Sequence, residues 1–113
     1  MTTELPPHTL ERLTNDLRQL GVAAGDILFI HSSFKSLGPV VNGAETVVRA
    51  LEAAVGPQGL VLMPSFNLTE GDRTATWKGI ETTPATTGWL TEYFRLMSGT
   101  RRSYHYAHPV AAR

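Results

Sequence analysis

Three serines, a histidine and a lysine lie together in His31-Ser32-Ser33-Phe34-Lys35-Ser36-Leu37-Gly38, and they form the group in this chain best suited to hold an anion. Ser32, Ser33 and Ser36 offer hydroxyl donors, and Lys35 offers a positive charge. A second group, Arg101, Arg102, His105 and His108 with Ser103 among them, is the densest cationic cluster in the sequence. If the fold brings the two groups face to face, they suit a pyrophosphate or a 3′-phosphate, because a guanidinium presents a planar fork to phosphate oxygens. Neither a Walker pattern nor G-x-G-x-x-G occurs, so the plainer reading of 31–38 as an ordinary turn stays open. For Arg101 and Arg102 the plainer reading is a solvated basic segment.

His105 and His108 are candidates for a general base, since imidazole titrates near neutrality, with a structural role as the alternative. They are not read as a metal pair. Pro109 opposes a helix there and no third ligand is evident. Ser32 lacks the G-x-S-x-G elbow of a hydrolase nucleophile. Glu70, Asp72 and Glu81 could attract a polyamine, or could simply be solvated.

These residues need elements to place them. Ile27-Leu28-Phe29-Ile30, just before the serine loop, is a continuous apolar run that reads as a strand buried on both faces and central in its sheet. Asn42 and Glu45 after the loop have the spacing of a helix cap and capping box, and Val47, Val48, Leu51 and Val55 form that helix's buried stripe, ended by Gly56-Pro57. The amides at its head add donors to the loop. Leu60-Val61-Leu62-Met63 is a second apolar strand, and strand-helix-strand favours a parallel pair. Pro64-Ser65-Phe66 then sits at a strand's C-terminal end, where ligands collect in open α/β sheets.

Upstream, residues 1–7 read as a loose leader, followed by a helix with Leu10, Leu13, Leu17 and Leu20 on one face and Gly21 as its stop. Residues 67–86 read as a long irregular loop. A third helix, begun by Thr83-Pro84 or Thr87, carries Leu90, Tyr93, Phe94 and Met97 on one stripe and stops at Gly99. Val110-Ala111-Ala112 resembles the start of another strand. The whole reads as one α/β unit over residues 1–113, with a mixed, largely parallel sheet flanked by helices, and as incomplete because the sequence stops as an element begins.

Composition narrows the partners. The chain is 42% hydrophobic and 18% charged, a globular balance, and its 10 Lys+Arg match 10 Asp+Glu, so bulk charge favours neither nucleic acid nor an anionic membrane. With no cysteine, disulfides and thiolate chemistry are excluded. The N-terminal residues hold no apolar signal region and no run reaches membrane-span length, so a cytoplasmic protein is expected.

Several blocks in order resemble one family. Residues 22–38, then Asn42-Gly43-Ala44-Glu45, Gly56-Pro57-Gln58-Gly59, Leu62-Met63-Pro64-Ser65-Phe66 and Thr83-Pro84-Ala85-Thr86-Thr87-Gly88 resemble the aminoglycoside 3-N-acetyltransferases, which are unrelated to the GNAT acetyltransferases. Leu90, Glu92, Phe94 and Arg95, and then Arg102-Ser103 with His105 and His108, extend the resemblance to Ala112. It implies an antibiotic N-acetyltransferase-like α/β sandwich. It also implies acetyl-CoA as co-substrate, with His31, Ser32, Ser33, Phe34, Lys35, Ser36, Leu37, Arg102 and Ser103 near the cofactor. The acceptor is then the 3-amino group of a 2-deoxystreptamine aminoglycoside antibiotic, a resistance activity, with His108 as the candidate catalytic residue. Family chains are longer, so the resemblance implies an N-terminal portion, inactive alone, that self-associates through the surface a second half would cover. The alternatives are a non-catalytic binding module and a relative that acetylates a non-antibiotic amine.

Overall fold

The computed structural model describes residues 6–31, 33–67, 78–80, 82–105 and 108–113. In chain order these form α1 (Leu10–Gln19), β1 (Ile27–Phe29), α2 (Phe34–Leu37), α3 (Ala44–Val55), β2 (Leu60–Pro64), α4 (Trp89–Leu96), β3 (Arg101–Arg102) and β4 (Val110–Ala112). The expected helices and apolar strands are present. Two elements go beyond the expectation: α2, a single turn inside the serine loop, and β3, which lies where a basic segment is expected.

The ends of the helices differ in detail from the expectation. Thr9 caps α1, its hydroxyl accepting from the Arg12 amide at 3.2 Å. For α3 the cap is Gly43, with no side-chain cap bond, and Asn42 takes a positive φ of 60° instead. Asn42 therefore turns the chain rather than capping it, and Glu45 reaches forward to Arg49 at 3.8 Å. α4 starts only at Trp89, after Gly88, whose φ of 141° favours glycine.

Strand order is β1-β2-β4-β3, with β1 parallel to β2 and both other pairings antiparallel. The sheet is mixed, and its parallel part is the β1–β2 pair. Register sorts the side chains into two faces. Leu28, Val61, Met63, Ala111 and Arg102 share one face, and Ile27, Phe29, Leu60, Leu62, Ala112 and Arg101 the other. α3 and α4 cover the first, burying Val61, Met63 and Ala111 completely against Val48, Leu51, Val55, Leu90 and Phe94. α1 packs on α3, adding Leu13 and Leu17, while Leu20 is exposed. Contrary to the expectation of a central strand with both faces covered, among the described residues β1 lies at the sheet edge and exposes Ile27 and Phe29 on its second face. An apolar run reports a capacity for burial; which covering layers are present depends on chain far away in sequence.

Immediately after the expected leader, of which residues 1–5 lie outside the described residues, the chain is tied down at His8. His8 bridges to Val40, exchanging backbone bonds with Pro39 and Val41, and its Nε2 donates to the Leu37 carbonyl at 3.0 Å. That contact fixes the end of the serine loop. Of the long loop expected at 67–86, residues 68–77 and 81 lie outside the described residues, and Glu70, Asp72 and Glu81 with them.

Candidate active site

Sheet topology gathers the candidate residues at one edge. Because β1 and β2 run parallel, His31 and Ser65 leave the sheet side by side; because β4 runs the other way, His108 enters it there too. β3 is antiparallel to β4, so Ser103 leaves at the same edge. This is the edge at which open α/β sheets hold ligands.

A cleft of about 690 Å³ opens there, lined by Ser33, Phe34 and Lys35 from the serine loop and by Thr87, Gly88 and Trp89 from the start of α4. Its aromatic wall is continuous. The Phe34 ring lies 5.0 Å from Trp89, and Trp89 stacks on Tyr93 at 5.7 Å and 27°. Ser36 donates to the Ser33 hydroxyl at 3.0 Å, while Ser33 and Lys35 are exposed. Opposite, the Thr87 hydroxyl binds the Pro64 carbonyl at 2.9 Å and meets the buried Thr91 hydroxyl at 2.7 Å, and Thr91 also donates to the Gly88 carbonyl at 2.8 Å. Three contacts here draw on two hydroxyl protons, so the pair anchors the Gly88-Trp89 corner to the end of β2 as a shared network. A cation and hydroxyls beside an aromatic wall suit an elongated ligand with a phosphate at one end and an apolar stem.

The structure places the predicted residues unequally. Phe34 and Lys35 line the cleft together with Ser33, whereas Ser36 and Leu37 complete the short helix behind it. His31 is exposed at the end of β1, its ring 5.1 Å from Phe29. Ser32 lies outside the described residues.

Arg102 and Ser103 have other partners. The Arg102 guanidinium donates to the carbonyls of Ser65 and Thr83, and to that of Ile80 at 3.2 Å. Burial lowers its pKa, nearby Arg95 lowers it further, and Glu92 acts in the opposite direction. The Ser103 hydroxyl accepts from the Val110 amide at 2.8 Å, and the Ser103 amide donates to the Val110 carbonyl at 2.8 Å. Both residues thus hold the β3–β4 ribbon and its neighbouring loops. Arg102 lines a separate cavity of about 420 Å³ with Arg95, Arg101 and Thr100. The two cationic groups share an edge without sharing a cavity.

His108 is exposed, its ring edge-on to Phe66 at 5.0 Å and 5.7 Å from His105. Its backbone amide donates to His105 Nδ1 at 2.8 Å, so His105 shapes this turn. Thr87, Gly88 and Trp89 are absent from the predicted site. The signal for them in the sequence is a glycine followed by a tryptophan at a helix start, off the stripe of Leu90, Tyr93 and Phe94.

The fold and cleft define an α/β protein with an anion-compatible ligand site at the C-terminal ends of its strands, and comparison with known proteins makes the class specific. Residues 29–113 match the family described as aminoglycoside 3-N-acetyltransferase. The chain belongs to that family. It is 40% identical to aminoglycoside N(3)-acetyltransferase III of Salmonella sp over 121 aligned residues, which cover 93% of this chain and 41% of that protein. The chain therefore spans about two-fifths of the length of its Salmonella relative. It superposes on aminoglycoside acetyltransferase AAC(3)-IVa in complex with apramycin with a TM-score of 0.86 at 30% identity, covering 97% of this chain and 44% of the other. A structure described as AAC-IIIb binary with CoASH matches with a TM-score of 0.80 at 26% identity, over 95% and 46% of the two chains.

Proposed function

We propose that residues 1–113 are the N-terminal portion of a single acetyltransferase domain and form its acyl-donor side. The reaction is transfer of an acetyl group from acetyl-CoA to the 3-amino group of a 2-deoxystreptamine aminoglycoside, which confers antibiotic resistance. The observation that carries this reading is the cleft between residues 33–35 and 87–89, in a chain whose family includes a CoASH-bound structure of the same fold. Lys35 and the Ser33 hydroxyl face the cofactor's phosphates, and the Phe34–Trp89 wall packs along its pantetheine arm.

In the reaction the acceptor amine attacks the thioester carbonyl carbon, the C–S bond breaks, coenzyme A leaves as thiolate, and the amine loses one proton. His108, exposed at the same sheet edge, is the proposed acceptor of that proton within this chain.

Calorimetric titration with coenzyme A tests the donor site. Saturable binding is expected, weakened in Lys35→Ala about fivefold at low salt, the scale of one exposed charge contact. Arg102→Ala is expected to lower the melting temperature, because it strands the Ser65 and Thr83 carbonyls. Unchanged affinity in Lys35→Ala, or no binding by the folded chain, overturns the assignment.

A further inference from the structure

His8 lies outside the cleft, yet it bonds three times to the segment that follows Lys35. Its amide donates to the Pro39 carbonyl at 2.9 Å, its carbonyl accepts from the Val41 amide at 2.9 Å, and its Nε2 donates to the Leu37 carbonyl at 3.0 Å. The ring bond has a particular target. Leu37 is the last residue of α2, and a helix leaves its final carbonyls without intrahelical partners. A histidine that donates to such a carbonyl caps the helix end, and here it does so from 29 residues away in the chain.

α2 needs support from outside. It is a single turn of four residues, begins at Ser33 with no side-chain cap bond, and ends at Gly38 with a φ of 82°. Fixing one turn costs more conformational entropy than its own hydrogen bonds return, so it does not hold itself. Among the described residues, ring contacts pin both ends: Phe34 on Trp89 at the start, and His8 on the Leu37 carbonyl at the finish. Lys35 lies between them. The His8 bond is part-buried, beside an apolar cavity of about 240 Å³ that Leu13, Leu17, Leu37, Val47 and Leu51 also line. A hydrogen bond shielded from water holds more firmly than an exposed one. His8 directly precedes Thr9, the cap of α1, so the loop is tied to the start of a helix that packs on α3.

We infer that His8 is a positioning residue for the serine loop, holding α2 so that Lys35 stands at the cleft. It acts through the Leu37 carbonyl without touching the ligand. Its effect on binding rests on the acyl-donor reading of the cleft, whereas its effect on the loop does not.

The test compares His8→Ala, which removes the ring donor, with His8→Gln, whose side-chain amide offers a donor at similar reach. Thr9→Ala is the control, since it removes the α1 cap and leaves the loop contacts in place. In the ligand-free chain, the Ser36 and Gly38 amides close α2 on the Ser33 and Lys35 carbonyls. Their exchange, followed by NMR, should quicken about fivefold in His8→Ala, the scale of one lost hydrogen bond, and stay near the parent's in His8→Gln and Thr9→Ala. Titration with coenzyme A should show weaker affinity in His8→Ala, restored in His8→Gln. Adding His8→Ala to Lys35→Ala should bring little further loss, because a misplaced lysine and an absent one are equivalent. Unchanged exchange at Ser36 and Gly38 in His8→Ala, or equal quickening in Thr9→Ala, overturns the inference. Affinity losses that add in the double variant also overturn it, since they report a general loosening rather than the placement of Lys35. No binding by a parent chain whose exchange responds to His8→Ala overturns the acyl-donor reading and supports the positioning of the loop.

Discussion

At the scale of single residues, the structure separates a charge exposed at a cleft from a charge that holds the chain together. Lys35 stands exposed at the cleft, whereas Arg102 has its guanidinium against three carbonyls. Sequence cannot distinguish them, because each is a cation followed directly by a serine. The difference arises from sheet register, which turns Arg102 to the helix-covered face opposite Ala111. Gly59 shows another residue-level constraint. A Cβ there would lie 2.3 Å from Val55 Cβ and 2.5 Å from the Val55 carbonyl oxygen, too close for either to yield cheaply. Gly59→Ala should cost about 1–3 kcal/mol, the range for overpacking, measured as a lowered urea midpoint with unchanged slope. A midpoint equal to the parent's would show that the end of α3 relaxes freely.

At the scale of elements, the cleft depends on how α4 begins. Thr91 is buried and links its hydroxyl to the Gly88 carbonyl and to Thr87, which binds the end of β2. The helix start expected at Thr83-Pro84 or Thr87 is too early because these threonines bind backbone in the turn rather than in a helix. Thr91→Val keeps the shape and removes the hydroxyl. It should cost about 1 kcal/mol in stability and, by loosening the Gly88–Trp89 corner, weaken coenzyme A binding, checked by melting and titration together. Weaker melting with unaltered affinity would show that the network serves α4 alone. Much of the element order was legible: α1, α3 and α4 follow their apolar stripes, and β1, β2 and β4 their apolar runs. α2 and β3 escaped because one turn and two residues are too short to show a period.

At the scale of the whole molecule, the layers are unequal. α3 and α4 lie on the sheet, α1 lies on α3, and among the described residues the opposite sheet face exposes Ile27, Phe29 and Leu60. α1 contributes Leu13 and Leu17 to the core edge and exposes Leu10 and Leu20. An outer helix held mainly through one neighbour opens at lower free energy than the elements beneath it. Native-state hydrogen exchange should therefore release the α1 amides before those of α3 and β2. Simultaneous exchange of all three would mean that the layers unfold as one unit.

The sequence by itself determined the kind of elements, the parallel β1–β2 pair and the family. Those features depend on local period and on blocks of residues in order. Tertiary structure decided which predicted residues share a cleft, brought Trp89 and Thr87 to the serine loop, and gave Arg102 to the loop carbonyls. It also decided that, among the described residues, β1 is an edge strand with Ile27 and Phe29 exposed. These outcomes turn on register and on partners distant in the chain, and a run such as Ile27-Leu28-Phe29 carries the same apolar signal whether one of its faces is covered or both.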